Sequence, residues 1–330
     1  MAKVDMAHIE PPRRAEWLDI ARVVATLGIV LYHVHVSRIP LSAQPGYVAA
    51  GKAMLSFPGS LLAFFFVISG YFCKPDMPWR KWGRRMAMLM AGYVVWNLLY
   101  APGYGDRCTF EQVFGVGFAG ARPADYPLWY IWALMLLMLV LPLFRRCIWL
   151  YFLIALAGTI WGNSWHCEWL GIITFPRPFY ALMFAMGSMF SYVPLPKMQC
   201  VFQYTAPAWA VLCAAAYRWG IHVPHLHDLA GAFLLLSVGA LSSWLPKAAG
   251  FIARLADASY LCYAAHAGLL IVFSWWLERF FPTACDSGWV YCMMPIVVYA
   301  VCVGAMRLMR AYAPWLLPWL AHAGKLPFLK

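Results

Sequence analysis

EWLDIARVVATLGIVLYHVHVSR, residues 16–38, decides the fold, because it has the length of a membrane span and yet carries charge. A hydrocarbon core about 30 Å thick takes about 20 apolar residues as an α-helix. Asp19, Arg22, His33 and His35 lie inside this run, and ionisable side chains at such depth are costly unless paired or used. Arg22 and His33 stand eleven positions apart (33 − 22). At 3.6 residues per turn that is three turns plus about 20°, so both leave one face, about 16 Å apart along the axis. Asp19, Arg22, Thr26 and His33 thus form a polar stripe on an apolar rod. His35 lies about 200° round from His33 and reads as interfacial. A satisfied Asp–Arg pair beside an incidental histidine would also give this stripe, but charge inside a span is functional by default.

The whole chain agrees with a membrane setting. Of its 330 residues 64% are hydrophobic and only 12% charged, against about 25% charged in a soluble domain. Apolar runs recur at about 16–38, 55–73, 86–101, 128–144, 147–162, 174–193, 201–218, 228–245, 256–277 and 289–306. They predict an all-α, polytopic membrane protein of about ten transmembrane helices in one bundle. An even number of spans puts both termini on one side. Most of the 25 lysines and arginines fall on that side, led by KPDMPWRKWGRR at 74–85, which marks it as cytoplasmic. The net charge of +12 therefore reflects topology, and no soluble basic domain exists to bind nucleic acid. Residues 1–15 form a short cytoplasmic N-terminus and 307–330 a short basic tail of a single membrane domain covering 1–330. The first run is too long and too charged for a cleaved signal peptide and is expected to stay as the first span. No internal repeat of transporter type is visible.

The ten cysteines show neither C-x-x-C nor Cys/His ligand spacing, and no metal site is expected. Cys108, Cys167, Cys285 and Cys292 map to the outer side, where disulfide pairing is open if that compartment is oxidising. His222, His225 and His227, in RWGIHVPHLHD, lack helical i, i+4 spacing and a carboxylate beyond Asp228, so they too read as no metal centre.

The first span starts inside, which puts Arg22 in the inner half of the membrane and His33 in the outer half. Arginine is always charged and suits phosphate or carbonyl oxygen. Histidine takes a proton near neutral pH. One helix offers an anion holder toward one face and a base toward the other, as a reaction with substrates from opposite sides requires. The second span carries FFVISG at 65–70. Its serine would ordinarily back-bond to the carbonyl four residues earlier, and its glycine would permit close helix packing. The G-x-S-x-G context of a hydrolase nucleophile is absent. This span runs outside to inside, so Ser69 is expected level with Arg22 and away from His33. Tyr126, Trp129 and Tyr130 are expected near the outer surface, as an aromatic belt or a sugar-stacking platform. His266, in the middle of the ninth span, is either a second polar group at the level of the chemistry or a satisfied core histidine.

Arg22, ten residues, then His33, followed by FFVISG in the second span, resembles the membrane acyltransferase type 3 family. WLDIAR at 17–22 is similar to that family's start, where a leucine or branched residue often stands at the position of Ala21. PLWY at 127–130, SYL at 259–261 leading to His266, and Arg177 ahead of Phe184 and Gly187 resemble it in matching order, so the similarity runs through nearly the whole chain. The resemblance implies transfer of an acyl group, most often acetyl, from cytoplasmic acyl-CoA to a hydroxyl of an extracytoplasmic or lipid-linked glycan. His33 then matches the proposed general base, Arg22 the donor-linked arginine with Asp19 beside it, and Ser69 and Gly70 the second-span motif. Arg84 and Arg85 are expected to help hold the anionic donor, although topology alone also places such charges. Trp129, Tyr130, Arg177 and His266 are expected on the acceptor side. Acetyl-CoA is the expected donor substrate, no bound cofactor is expected, and proteins of glycan assembly are possible partners in a bacterial inner membrane. A transporter or glycan exporter is the rival class, since buried charges in many spans also describe those.

Overall fold

In the computed structural model, the described residues are 15–36, 58–102, 126–161, 177–219, 225–284 and 288–321. They form helices and no strands. The α-helices in chain order are α1 (Glu16–Val36), α2 (Pro58–Phe72), α3 (Trp79–Tyr100), α4 (Trp129–Val140), α5 (Ile148–Trp161) and α6 (Pro178–Phe190). Then follow α7 (Leu195–Trp219), α8 (Leu226–Leu241), α9 (Pro246–Leu255), α10 (Ser259–Phe280), α11 (Gly288–Tyr312) and the short α12 (Leu317–Leu320). Each expected apolar run holds a helix. Four stretches, Glu16–Val34, Leu226–Trp244, Pro246–Phe280 and Cys292–Tyr312, are long and apolar enough to cross a membrane. Side chains such as Leu153, Ile154, Ile160, Ile271, Val272 and Ile296 stand exposed on the outside of the bundle, an apolar surface too extensive for a protein in water.

Helix α1 is the hub. It touches α2, α8, α9, α10 and α11, and Ala21, Ala25, Val30 and Val34 on it are fully buried. Lipid is as apolar as leucine, so helices in a bilayer are held by close packing and hydrogen bonds. The tightest contact is between α2 and α6, where Gly70 and Gly187 face each other. A Cβ on Gly70 would fall against the carbonyl oxygen of Phe184, and one on Gly187 against that of Val67. Ser188 adds hydrogen bonds to the carbonyls of Gly70 (3.2 Å) and Cys73 (3.3 Å), which lie at the end of α2.

Residues 246–255 fall between two of the apolar runs expected from the sequence, at 228–245 and 256–277. Here α9 is a helix whose Ala249 and Ala253 are buried against Ile20 of α1. It is too short to show as a span, and its apolar stripe is recognised only by the neighbour it covers. A 3-10 turn, Ala256–Ala258, joins it to α10.

Candidate active site

The stripe on α1 is a bonded array. Asp19, buried, holds the Arg22 guanidinium at 3.0 Å, and Thr26 Oγ1 donates to the Arg22 carbonyl at 2.8 Å. The ion pair follows from i, i+3 spacing on one helix face. Further along, His33 Nδ1 lies 2.9 Å from the Ile29 carbonyl and 3.2 Å from His266 Nε2 of α10. The two imidazoles meet edge to face, centroids 4.7 Å apart.

These contacts assign the protons. A carbonyl only accepts, so His33 Nδ1 carries a hydrogen. His266 Nδ1 faces the carbonyls of Tyr263 (2.6 Å) and Cys262 (3.2 Å) and is therefore also a donor. His266 Nε2 is then the lone-pair atom that accepts from His33, and the lone pair of neutral His33 sits on Nε2.

A second array joins α2 and α4. Ser69 Oγ and the Tyr130 hydroxyl are 2.7 Å apart, and Tyr130 donates to the Phe65 carbonyl at 3.2 Å. Phe65 is the residue four before Ser69, so the carbonyl to which a helical serine ordinarily back-bonds receives a tyrosine from another helix. The serine hydroxyl in turn donates to the tyrosine. The same construction recurs between α10 and α11: Ser259 bonds the Tyr299 hydroxyl at 2.8 Å, and Tyr299 donates to the Leu255 carbonyl, four before Ser259, at 3.0 Å.

Arg22, Ser69, Tyr130 and Ser259 line one cavity of about 510 Å³, together with Arg85, Asp257 and Arg310 at the end of the bundle that carries the 74–85 cluster. Arg85 donates to the Phe72 carbonyl at the C-terminal end of α2, where the helix dipole favours a cation. Asp257 and Arg310 form an ion pair at 2.7 Å. Tyr263 lines the same cavity while its own carbonyl holds His266, which links the cavity wall to the histidine pair.

Some expected residues stand elsewhere. Tyr130, assigned by sequence to the outer surface, is buried beside Ser69 in the cavity, because α4 turns its first turn inward against Phe66 (ring centroids 4.7 Å). Trp129 packs on Tyr180 at 5.7 Å. Arg177 is exposed at the start of α6. None of Trp129, Arg177, Arg84, His33 and His266 lines the cavity, and Gly70 faces α6. His225 and His227 flank the buried Asp228 at 3.4 and 3.2 Å. Cys292 has no disulfide partner among the described residues, and its candidate partners Cys108, Cys167 and Cys285, like His222, lie outside them. Asp257, Arg310, Tyr263 and Tyr299 were missed. Asp257 had a usable signal, as an acid two residues before the Ser259-Tyr260-Leu261 element.

The sequence profile of the type 3 acyltransferases, an acyltransferase domain, matches residues 15–308. The chain belongs to this family. No curated protein and no solved structure matches it. Membership places this acyltransferase among multi-pass membrane proteins, in keeping with its apolar helices, and supports a general acyltransferase function. The matched region takes in Arg22, His33, Ser69, Tyr130 and His266 of the acyltransferase.

Proposed function

We propose that this acyltransferase moves an acyl group, acetyl above all, from acyl-CoA at its basic, cytoplasmic end to a hydroxyl of an extracytoplasmic or lipid-linked glycan, in a bacterial inner membrane. The observation that carries the reading is the bonding of the His33 ring. With Nδ1 committed to the Ile29 carbonyl and His266 Nε2, the basic atom of neutral His33 is Nε2, as a general base requires.

In the proposed step the acceptor hydroxyl gives its proton to His33 Nε2 as its oxygen attacks the thioester carbonyl carbon. A C–O bond forms, the C–S bond breaks, and the CoA thiolate leaves with the proton His33 has taken. The transient imidazolium keeps both acceptors on its Nδ1–H, so positive charge develops where dipoles already face it. Proton transfer of this kind contributes about 10²- to 10⁴-fold. Arg22, oriented by Asp19, would face the negative charge that develops on the thioester as it is attacked, and the Ser69–Tyr130 pair would form the wall beside the donor arm. His266 acts through His33 as a positioning residue. Trp129 and Arg177 are assigned to the sugar, and proteins of glycan assembly would deliver it.

Purified protein in liposomes, given radiolabelled acetyl-CoA and envelope lipid-linked sugars, tests the reading. Label should move to the sugar as an alkali-labile ester in wild type and not in His33→Ala. Full transfer by that variant would refute the mechanism, and movement of intact glycan without acetylation would refute the function.

A further inference from the structure

A second cavity, of about 310 Å³, adjoins the first and shares Asp257 and Arg310 with it. Its charged wall is Arg254 from the last turn of α9, Asp257 from the 3-10 turn, and Arg307 and Arg310, one helical turn apart near the end of α11. Three guanidinium groups face one carboxylate, which leaves an excess of two positive charges. Arg254 and Arg307 have no ion-pair partner among the described residues. The remaining wall is apolar, with Phe251, Leu255, Val303 and Met306.

We propose that this cavity binds the phosphate-bearing nucleotide end of the donor, while the acyl-pantetheine arm passes the Asp257–Arg310 pair into the cavity of Arg22 and Ser69. The inference rests on the reading of acyl-CoA as donor. It assigns the phosphates to residues on α9 and α11, whereas the sequence points to the 74–85 loop for that task. Three arguments support it. Guanidinium groups present several N–H donors in a plane and match phosphate oxygens two at a time. A positive-inside bias scatters charge over loops, but does not require three arginines from two helices to converge on one concavity. The apolar patch beside them suits the face of a purine, which pairs with phosphates in a nucleotide and not in a simple anion. Arg310 Nη2 donates to Asp257 at 2.7 Å, which fixes it at the junction, and a guanidinium has further N–H groups to offer a phosphate.

Continuity with the catalytic cavity favours the donor over the headgroup of an anionic lipid. The two differ in a measurement. Acetyl-CoA, acetyl-dephospho-CoA and acetyl-pantetheine carry the same thioester and successively fewer phosphates. In liposomes, wild type should use acetyl-CoA best. Arg254→Gln with Arg307→Gln should lower the ratio of kcat/KM for acetyl-CoA over acetyl-pantetheine by about tenfold or more, chiefly through KM. An unchanged ratio in a variant that elutes and melts as wild type does would overturn the proposal, as would equal losses with all donors. A variant that keeps the ratio but loses stabilisation by phosphatidylglycerol would assign the cavity to lipid. Failure of the wild type with every thioester would instead count against acyl-CoA as the donor at all.

Discussion

His33 Nδ1 and His266 Nε2 lie 3.2 Å apart although 233 positions separate the residues in the chain. Together with the Ile29 carbonyl, the contact holds the hydrogen on His33 Nδ1 and leaves Nε2 basic, and it is made from α10 to the hub helix α1. His266→Leu should therefore lower kcat by about a hundredfold. His266→Gln, whose amide oxygen can replace Nε2 as acceptor, should recover much of that loss. A purely structural role for His266 predicts instead that both variants fail together in thermal melts.

Asp19 is the buried partner of Arg22. Asp19→Asn removes the charge that orients the guanidinium, and a loss of about tenfold in kcat/KM for the donor is expected. Arg22→Lys should not rescue function, because an ammonium cannot reproduce the planar fork. Steady-state kinetics with acetyl-CoA varied would check both.

Ser69 and Tyr130 are coupled through the Phe65 carbonyl. Tyr130→Phe frees that carbonyl for ordinary back-bonding by Ser69, turning the hydroxyl out of the cavity. A double-mutant cycle of Ser69→Ala and Tyr130→Phe on kcat should show an interaction of about 1 kcal/mol. Strict additivity would mean the two hydroxyls act separately.

Gly70→Ala and Gly187→Ala each place a carbon against backbone carbonyl oxygen, which side-chain rotation does not relieve. Each should cost about 2 kcal/mol or more, read as a lower midpoint in detergent melts. Gly83, in α3, has open space at its Cβ position. Gly83→Ala should be neutral or stabilise by up to about 1 kcal/mol through helix propensity.

The sequence was informative where structure is local. Helical periodicity puts Asp19, Arg22 and His33 on one face of α1, since three turns of a single helix need no knowledge of neighbours. Hydropathy marks each apolar run for the same reason. Contacts between distant segments were not legible. Nothing in the spacing of His266 says which helix it faces, and Tyr130 was given to the outer surface because an aromatic after a loop normally sits in the belt. The Asp257–Arg310 pair spans 53 positions, and each member alone looks like an ordinary charge at a helix end. Helix α9 was lost because a ten-residue amphipathic helix acquires its shape from the surface it covers.

The crossing at Gly70 and Gly187 bears on how the acceptor comes in. Two backbones in direct contact leave no seam that a lipid tail or a sugar chain can part, so α2 and α6 move as a single plank with Ser69 fixed to it. On the proposed function, a lipid-borne sugar would then have to slip in through another wall of the bundle, and any door that swings for it would be hung on the helices opposite that plank.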